Sequence, residues 1–306
     1  MMTKRKYQPT DKYFIAEPSY WPLLGTSGLF CLVLGLVQVL HDGALGPYIM
    51  LLGVALLIFT MFGWFGAVIK ESLAGLHSHQ MDLTYRWGML WFIVSEIFLF
   101  GIFFFALFYV RMFVIPDLGD TVSPIAESLR LGGSVYTHTL LWPNFVSQWP
   151  LLSNPNPELF VAPKSVIPTW GIPALNTLLL LSSALTVTWA HWGLKKDKHK
   201  QVVIGLVLTI LLGMTFEGFQ IHEYMEAYQE LGLTLGSGIY GSTFFTLTGL
   251  HAWHVTLGII MLSVILVRTL KHHFQPEHHF AFEAVSWYWH MVDVVWLFLF
   301  VFVYWL

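Results

Sequence analysis

The chain has 306 residues, of which 56% are hydrophobic and only 11% are charged. Soluble domains contain about 25% charged residues, so this chain cannot cover a large apolar core with polar surface. Its composition is typical of a multi-spanning membrane protein. The formal net charge of −3 and the lack of a basic segment with interleaved aromatics argue against nucleic-acid binding. The single cysteine, Cys31, excludes an internal disulfide.

Long apolar stretches with few or no charges recur along the chain, and each reaches or approaches the ~20 residues that cross a hydrocarbon core. Lipid offers no hydrogen-bond partners to an open backbone, so these stretches must be helices. The sequence therefore predicts an all-α, polytopic membrane protein with seven transmembrane helices. The predicted spans are 23–40, 48–69, 87–110, 172–194, 202–221, 239–267 and 284–306.

The positions of Lys and Arg predict the orientation of these spans. Of the 15 basic residues, 12 lie in the N-terminal tail or in the loops after the second, fourth and sixth spans. Only Arg111, Arg130 and Lys164 lie on the other side. Because cytoplasmic loops are enriched in Lys and Arg, we expect a cytoplasmic N-terminus and a C-terminus outside.

One connection, at about 116–171, is unusually long and rich in Pro, Gly and Ser. It is too broken by proline for a helix and too mixed in character for a span. Two interpretations stay open at this point: an ordered external cap or partner-contact loop, and a flexible linker.

The third span, "WFIVSEIFLFGIFF", contains a single acid, Glu96. It follows Arg86 by ten residues, which places it ~15 Å along the helix and near the middle of the membrane. An ionised carboxylate there would be very costly, so we expect Glu96 to be protonated, or paired with a cation or hydrogen-bond donor. Acids in this position are functional candidates, but a neutral acid that holds two helices together is an equal alternative.

Other polar groups in the spans have less specific interpretations. Glu217 lies four residues from the outer end of the fifth span, where its side chain can extend to the interface. Asp293 shares a helix face with His290, three residues earlier. Such a pair could relay protons, but a static polar contact is favoured.

Histidines are frequent, yet they do not form a visible ligand set in the sequence. His251 and His254 are three residues apart in the sixth span, and two ligands are too few for a structural metal site. Hydrogen bonds between helices, or proton-linked roles, are therefore favoured for both. His191 lies near a helix end, and the His-rich loop 272–279 is expected to contact lipid headgroups or another subunit.

Three long segments resemble one known family. They are "WGMLWFIVSEIFLFGIFF" (87–104), "GIYGSTFFTLTGLHAWHVTLGIIML" (238–262) and "LKHHFQPEHHFAFEAVSWYWHMVDVVWLFLFVFVYWL" (270–306). All three are similar to subunit III of cytochrome c oxidase, and weaker matches follow the same order upstream. The resemblance covers both ends and every predicted span, but not the external loop.

This resemblance implies a non-redox subunit of a proton-pumping haem–copper oxidase in the aerobic respiratory chain. It implies two bodies, 1–72 with the first two helices and 73–306 as a five-helix bundle, with a lipid-filled cleft between them. Haem and copper would belong to partner subunits I and II, and cytochrome c would donate electrons to the complex. The chain itself would hold phospholipids but no catalytic residue and no metal, in a bacterial inner membrane with the N-terminus cytoplasmic and the C-terminus periplasmic. The alternatives are the equivalent subunit of a quinol oxidase and, from another class, an independent proton-linked transporter.

The resemblance also implies roles for particular residues. Glu96 matches the family's buried carboxylate, which reacts with carbodiimide and lies at the lipid cleft. His77 and Arg268 match positions that bind lipid headgroups on the cytoplasmic side, as a donor and a cation would. Trp64 matches one of two adjacent tryptophans that contact lipid, but the next residue here is Phe65. Positions in family motifs without a clear role are Glu71, Glu223, Glu226 and Asp293.

Overall fold

The structure is a computed structural model that describes residues 18–119 and 135–306. Within these residues the chain is helical, and its only β pairing is an isolated bridge between Gln275 and His278. The helices are α1 (Trp21–Leu40), α2 (Gly46–Leu73), α3 (His79–Tyr109), α4 (Ile115–Leu118), α5 (Val135–Leu141), α6 (Ile172–Lys195), α7 (His199–Gln229), α8 (Ile239–Leu270) and α9 (Phe280–Leu299). Two π-helical turns, Val110–Val114 and Phe300–Trp305, continue α3 and α9.

Among the described residues, seven helices are long and apolar enough to cross a membrane. They are α1, α2, α3, α6, α7, α8 and α9, so the predicted all-α fold with seven spans is confirmed. Several helices run past the predicted apolar stretches; α7, for example, has 31 residues. Its last two turns contain Glu, Gln, Met and Ala, which favour helix without being apolar. Hydropathy therefore marks the membrane-crossing part of a helix, not its ends.

The first two helices form a tight antiparallel hairpin. Each begins with a proline in its first turn, where the missing N–H costs nothing. Glycines at the contact allow the backbones to approach closely: a Cβ at Gly53 would lie 2.4 Å from the backbone nitrogen of Leu32. A Cβ at Gly35 would lie equally close to Met50, at 2.4 Å. Small residues of this kind are typical of helix pairs in lipid.

Packing divides the chain into two compact units that join at Gly88 and Met89. The division expected at residues 72 and 73 stays a prediction. In the second unit the core is built around α9, whose Trp289 is fully buried. Gly213 of α7 and Gly258 of α8 make room for this indole, since a Cβ at either would lie within 2.8 Å of it. The C-terminal helix is therefore the central element of this unit.

The part of the long connection that the structure describes forms hydrogen bonds with the loop 230–238, which joins α7 to α8. The backbone N–H of Lys164 donates to the carbonyl of Leu231 at 2.8 Å. The side-chain amide of Asn154 donates to the carbonyls of Phe160 at 2.9 Å and Ser237 at 3.0 Å. The prediction that this connection contains no helix is wrong: α5 forms at Val135–Leu141, where no proline occurs between residues 125 and 142. Arg130 and the basic N-terminal tail lie outside the described residues.

Candidate functional site

The acid in the third span pairs with a histidine of the sixth. Glu96 lies near the middle of α3, and its carboxylate oxygen Oε2 is 3.0 Å from Nε2 of His254 in α8. The side chains are 16% and 8% exposed, respectively. Phe100 packs against the imidazole, with ring centroids 5.0 Å apart. The structure thus brings together two residues that the sequence analysis considered separately.

The second ring nitrogen of His254 determines which nitrogen of the imidazole carries a proton. Nδ1 lies 2.7 Å from the carbonyl oxygen of Leu250, one helical turn earlier. A carbonyl only accepts hydrogen bonds, so Nδ1 carries a proton and Nε2 faces Glu96. One further proton between Nε2 and Oε2 gives either a neutral acid beside a neutral imidazole, or a carboxylate beside an imidazolium. Both arrangements have no net charge, which makes the pair tolerable in an apolar interior.

His251 faces a different neighbour. It is 1% exposed, and its Nε2 lies 3.1 Å from the carbonyl oxygen of Val292 in α9. Nε2 must donate this bond, which ties α8 to α9. His251 and His254 therefore each contact a different helix, and nothing in this geometry directs both rings toward one shared ion.

Asp293 is 4% exposed, and its carboxylate is 3.5 Å from Nδ1 of His290. The other ring nitrogen of His290 lies 3.2 Å from the hydroxyl of Thr188 in α6. Asp293 and His290 therefore form a contact between α9 and α6. This pair is separate from Glu96, which contacts α8.

Two more acids lie in α7. Glu217 accepts a hydrogen bond from the hydroxyl of Thr256 at 3.2 Å. Glu223 is 1% exposed and accepts bonds from the Tyr304 hydroxyl at 2.6 Å and the Gln220 amide at 3.0 Å. A role for Glu223 could not be predicted from the sequence, because its partner Tyr304 is 81 residues away.

His77 lies in the connection between α2 and α3, with Nε2 3.9 Å from the carboxylate of Glu71. Burial lowers the pKa of His77, and the neighbouring carboxylate of Glu71 offsets part of that effect. The ring is therefore mainly neutral at pH 7 and can donate one hydrogen bond. Tyr85 packs edge-on against it, with ring centroids 5.3 Å apart.

Arg268 lies in the last turn of α8, and its guanidinium stacks over Phe274 at 4.6 Å. Its Nε has no hydrogen-bond partner among the residues that the structure describes. No acid lies within salt-bridge distance of it in the same residues. The Arg268 guanidinium is held by stacking and has an Nε–H that donates no hydrogen bond within the described part of the chain, so it is suited to bind an anionic oxygen ligand. On α2, Trp64 and Phe65 are 43% and 58% exposed.

A group of three side chains at the end of α6 was not predicted from the sequence. His191, His279 and Glu283 lie close together there, although His191 and His279 are 88 residues apart in the chain. The only sequence signal was the His-rich loop 272–279, which gives no hint of a partner in α6.

Helices of this length and hydropathy, with acid–histidine pairs buried between them, define a multi-pass helical membrane protein. The family model described as cytochrome c oxidase subunit III matches residues 11–129 and 152–306. The chain is 40% identical to "Cytochrome c oxidase subunit 3" of Marchantia polymorpha over 296 residues, which cover 96% of each chain. It is 39% identical to the protein of the same name from Arabidopsis thaliana, with 96% of each chain covered, and to that from Branchiostoma lanceolatum, with 98% of each covered. The chain therefore belongs to the cytochrome c oxidase subunit III family, as its sequence motifs predict.

Proposed function

We propose that this chain is the non-redox third subunit of a proton-pumping oxidase that takes electrons from cytochrome c and reduces oxygen to water. In this role it packs against the catalytic subunit, binds structural phospholipids and keeps proton uptake and turnover stable. Haem and copper lie in partner subunits I and II. The membrane is the bacterial inner membrane, with the N-terminus in the cytoplasm and the C-terminus in the periplasm.

The observation that carries this proposal is the pairing of Glu96 with His254. A pumped proton needs a group that exchanges protons with both sides of the membrane. Here the acid is bonded to one histidine at 3.0 Å, and the other nitrogen of that histidine is bonded to its own helix. This is the arrangement of a stable polar contact within a scaffold, and it favours support over transport.

The exposed apolar surface of the first three helices supports the lipid and partner roles. In the most apolar stretch of each of the helices α1, α2 and α3, only 11% of the residues are buried, compared with 50% in that of α9. Such surface needs acyl chains or another apolar subunit against it. Arg268 supplies a cation without an acidic partner among the described residues, as a phospholipid headgroup requires.

The experiment is to remove this chain from the purified oxidase and follow turnover. We expect the depleted complex to keep its haem absorbance and its initial activity, and to lose that activity within fewer turnovers than the complete complex. Re-addition of the chain with phospholipid should restore the lifetime. Loss of the haem spectrum on depletion would contradict the proposal, and so would an unchanged lifetime. A purified chain that migrates alone and catalyses proton-linked transport would favour the transporter alternative.

A further inference from the structure

Three side chains of types that can bind a metal ion converge where α6 ends and α9 begins. Nε2 of His191 lies 3.3 Å from Nε2 of His279 and 3.5 Å from Oε1 of Glu283. Nε2 of His279 lies 3.3 Å from the same carboxylate oxygen. His279 and Glu283 are 8% and 9% exposed, so three ligand atoms meet in a mostly buried place.

A hydrogen bond to one ring nitrogen of His279 determines that the other ring nitrogen has a free lone pair. Nδ1 of His279 lies 3.2 Å from the carbonyl oxygen of Gln275 and must donate to it. In the neutral ring, Nε2 of His279 is then an acceptor, and it faces a carboxylate oxygen that is also an acceptor. Two acceptors at this distance need a proton or a cation between them. A backbone carbonyl that holds the far nitrogen is also the usual support of a metal-bound histidine.

The spacing of the three atoms fits one class of ion. Tetrahedral Zn²⁺ binds His nitrogen and Glu oxygen at about 2.0–2.2 Å, so its ligand atoms lie about 3.3–3.5 Å from one another. The three distances here are 3.3, 3.3 and 3.5 Å. Ca²⁺ and Mg²⁺ prefer all-oxygen sites, so the two imidazoles select a transition-metal ion.

We propose that His191, His279 and Glu283 bind one divalent transition-metal ion, best matched by Zn²⁺, with water as the fourth ligand. The ion joins the end of α6 to the start of α9 and so ties together two helices of the second unit. The side chain of His191 is 17% exposed, which gives the ion a route into the site. This proposal differs from the expectation that the chain has no metal site, which stays a prediction, and the geometry behind it does not depend on the proposed role in the oxidase.

The test uses the purified complex, stripped with a chelator and then reloaded with Zn²⁺ alone. Bound zinc is measured by mass spectrometry of the metal, in the wild type and in the variants His279→Ala and Glu283→Gln. We expect each variant to hold one zinc less per complex than the wild type, because the loss of a direct ligand should weaken the site by more than the about 10–100-fold that the loss of an outer-shell partner costs. His278→Ala is the matched control, since His278 is the exposed neighbour of His279 in the same loop, and it should keep the full content.

A second measurement needs no variant. Zn²⁺ should protect His191 from modification by diethyl pyrocarbonate, as read by peptide mass spectrometry, and leave His278 equally reactive. Equal zinc content in the wild type and both variants would overturn the proposal. If the variants fail to assemble, unchanged reactivity of His191 with and without Zn²⁺ would overturn it, and the cluster would then hold a proton instead.

Discussion

At the scale of single residues, two acids in the membrane-crossing helices, Glu96 and Asp293, lie beside a histidine of a neighbouring helix or of their own helix. Glu96 contacts His254 at 3.0 Å, and Asp293 contacts His290 at 3.5 Å. An acid and an imidazole that share one proton carry no net charge, so neither group is left as an uncompensated buried ion. The sequence could predict that Glu96 needs a partner, because its neighbours along α3 are apolar. It could not predict which partner, because His254 is 158 residues away and is brought close only by packing.

A double-mutant cycle measures how much this contact stabilises the chain. We expect His254→Ala to destabilise the subunit by about 1–3 kcal/mol, because it leaves a buried carboxyl without its partner. In the Glu96→Leu background, where residue 96 cannot form a hydrogen bond, the same change should cost less, and the coupling energy should be about 1–2 kcal/mol. The measurement is thermal release of the chain from the purified complex, read for all four proteins at one pH. Purely additive effects would show that the two groups do not interact.

At the scale of helices, the length of each apolar stretch determines where a helix crosses the membrane. Small residues determine where two helices approach each other most closely. A ~20-residue apolar stretch has to be a helix in lipid whatever surrounds it, so the spans are predictable from local sequence. The pairing of helices is not, since it depends on the shapes of two surfaces. Gly53 is an example: as one glycine of many in the sequence, it gives no sign that the backbone of α1 lies 2.4 Å from where its Cβ would be.

Substitution of this glycine should separate the first two helices. Gly53→Val places side-chain atoms against the backbone of Leu32, and we expect it to destabilise the hairpin by about 3 kcal/mol, near the upper end for an overpacked contact. Gly66→Val is the matched control on the same helix, because a Cβ there meets nothing within 4 Å. The amount of chain assembled in the purified oxidase, and its thermal release, should fall for the first variant alone. Equal behaviour of the two variants would mean that α1 and α2 do not pack as the structure shows.

At the scale of the whole molecule, apolar surface is unevenly distributed. The helices α1 to α3 are mostly exposed, whereas α9 is half-buried. The hydropathy of the sequence shows the total amount of apolar residues, but not which faces remain uncovered after folding. Those faces, together with Arg268 and the neutral pair of Glu96 and His254, agree with the proposal that this chain supports the oxidase complex and does not carry the transported proton itself.

The proton-to-electron ratio of an oxidase containing Glu96→Gln tests this account most directly. Glutamine keeps the shape of the acid and a hydrogen-bond donor for His254, but it cannot exchange a proton. We expect the variant to pump the same number of protons per electron as the wild type in reconstituted vesicles, and to lose carbodiimide labelling of this chain. Loss of pumping with electron transfer intact would contradict the account, because Glu96 would then be part of the proton pathway.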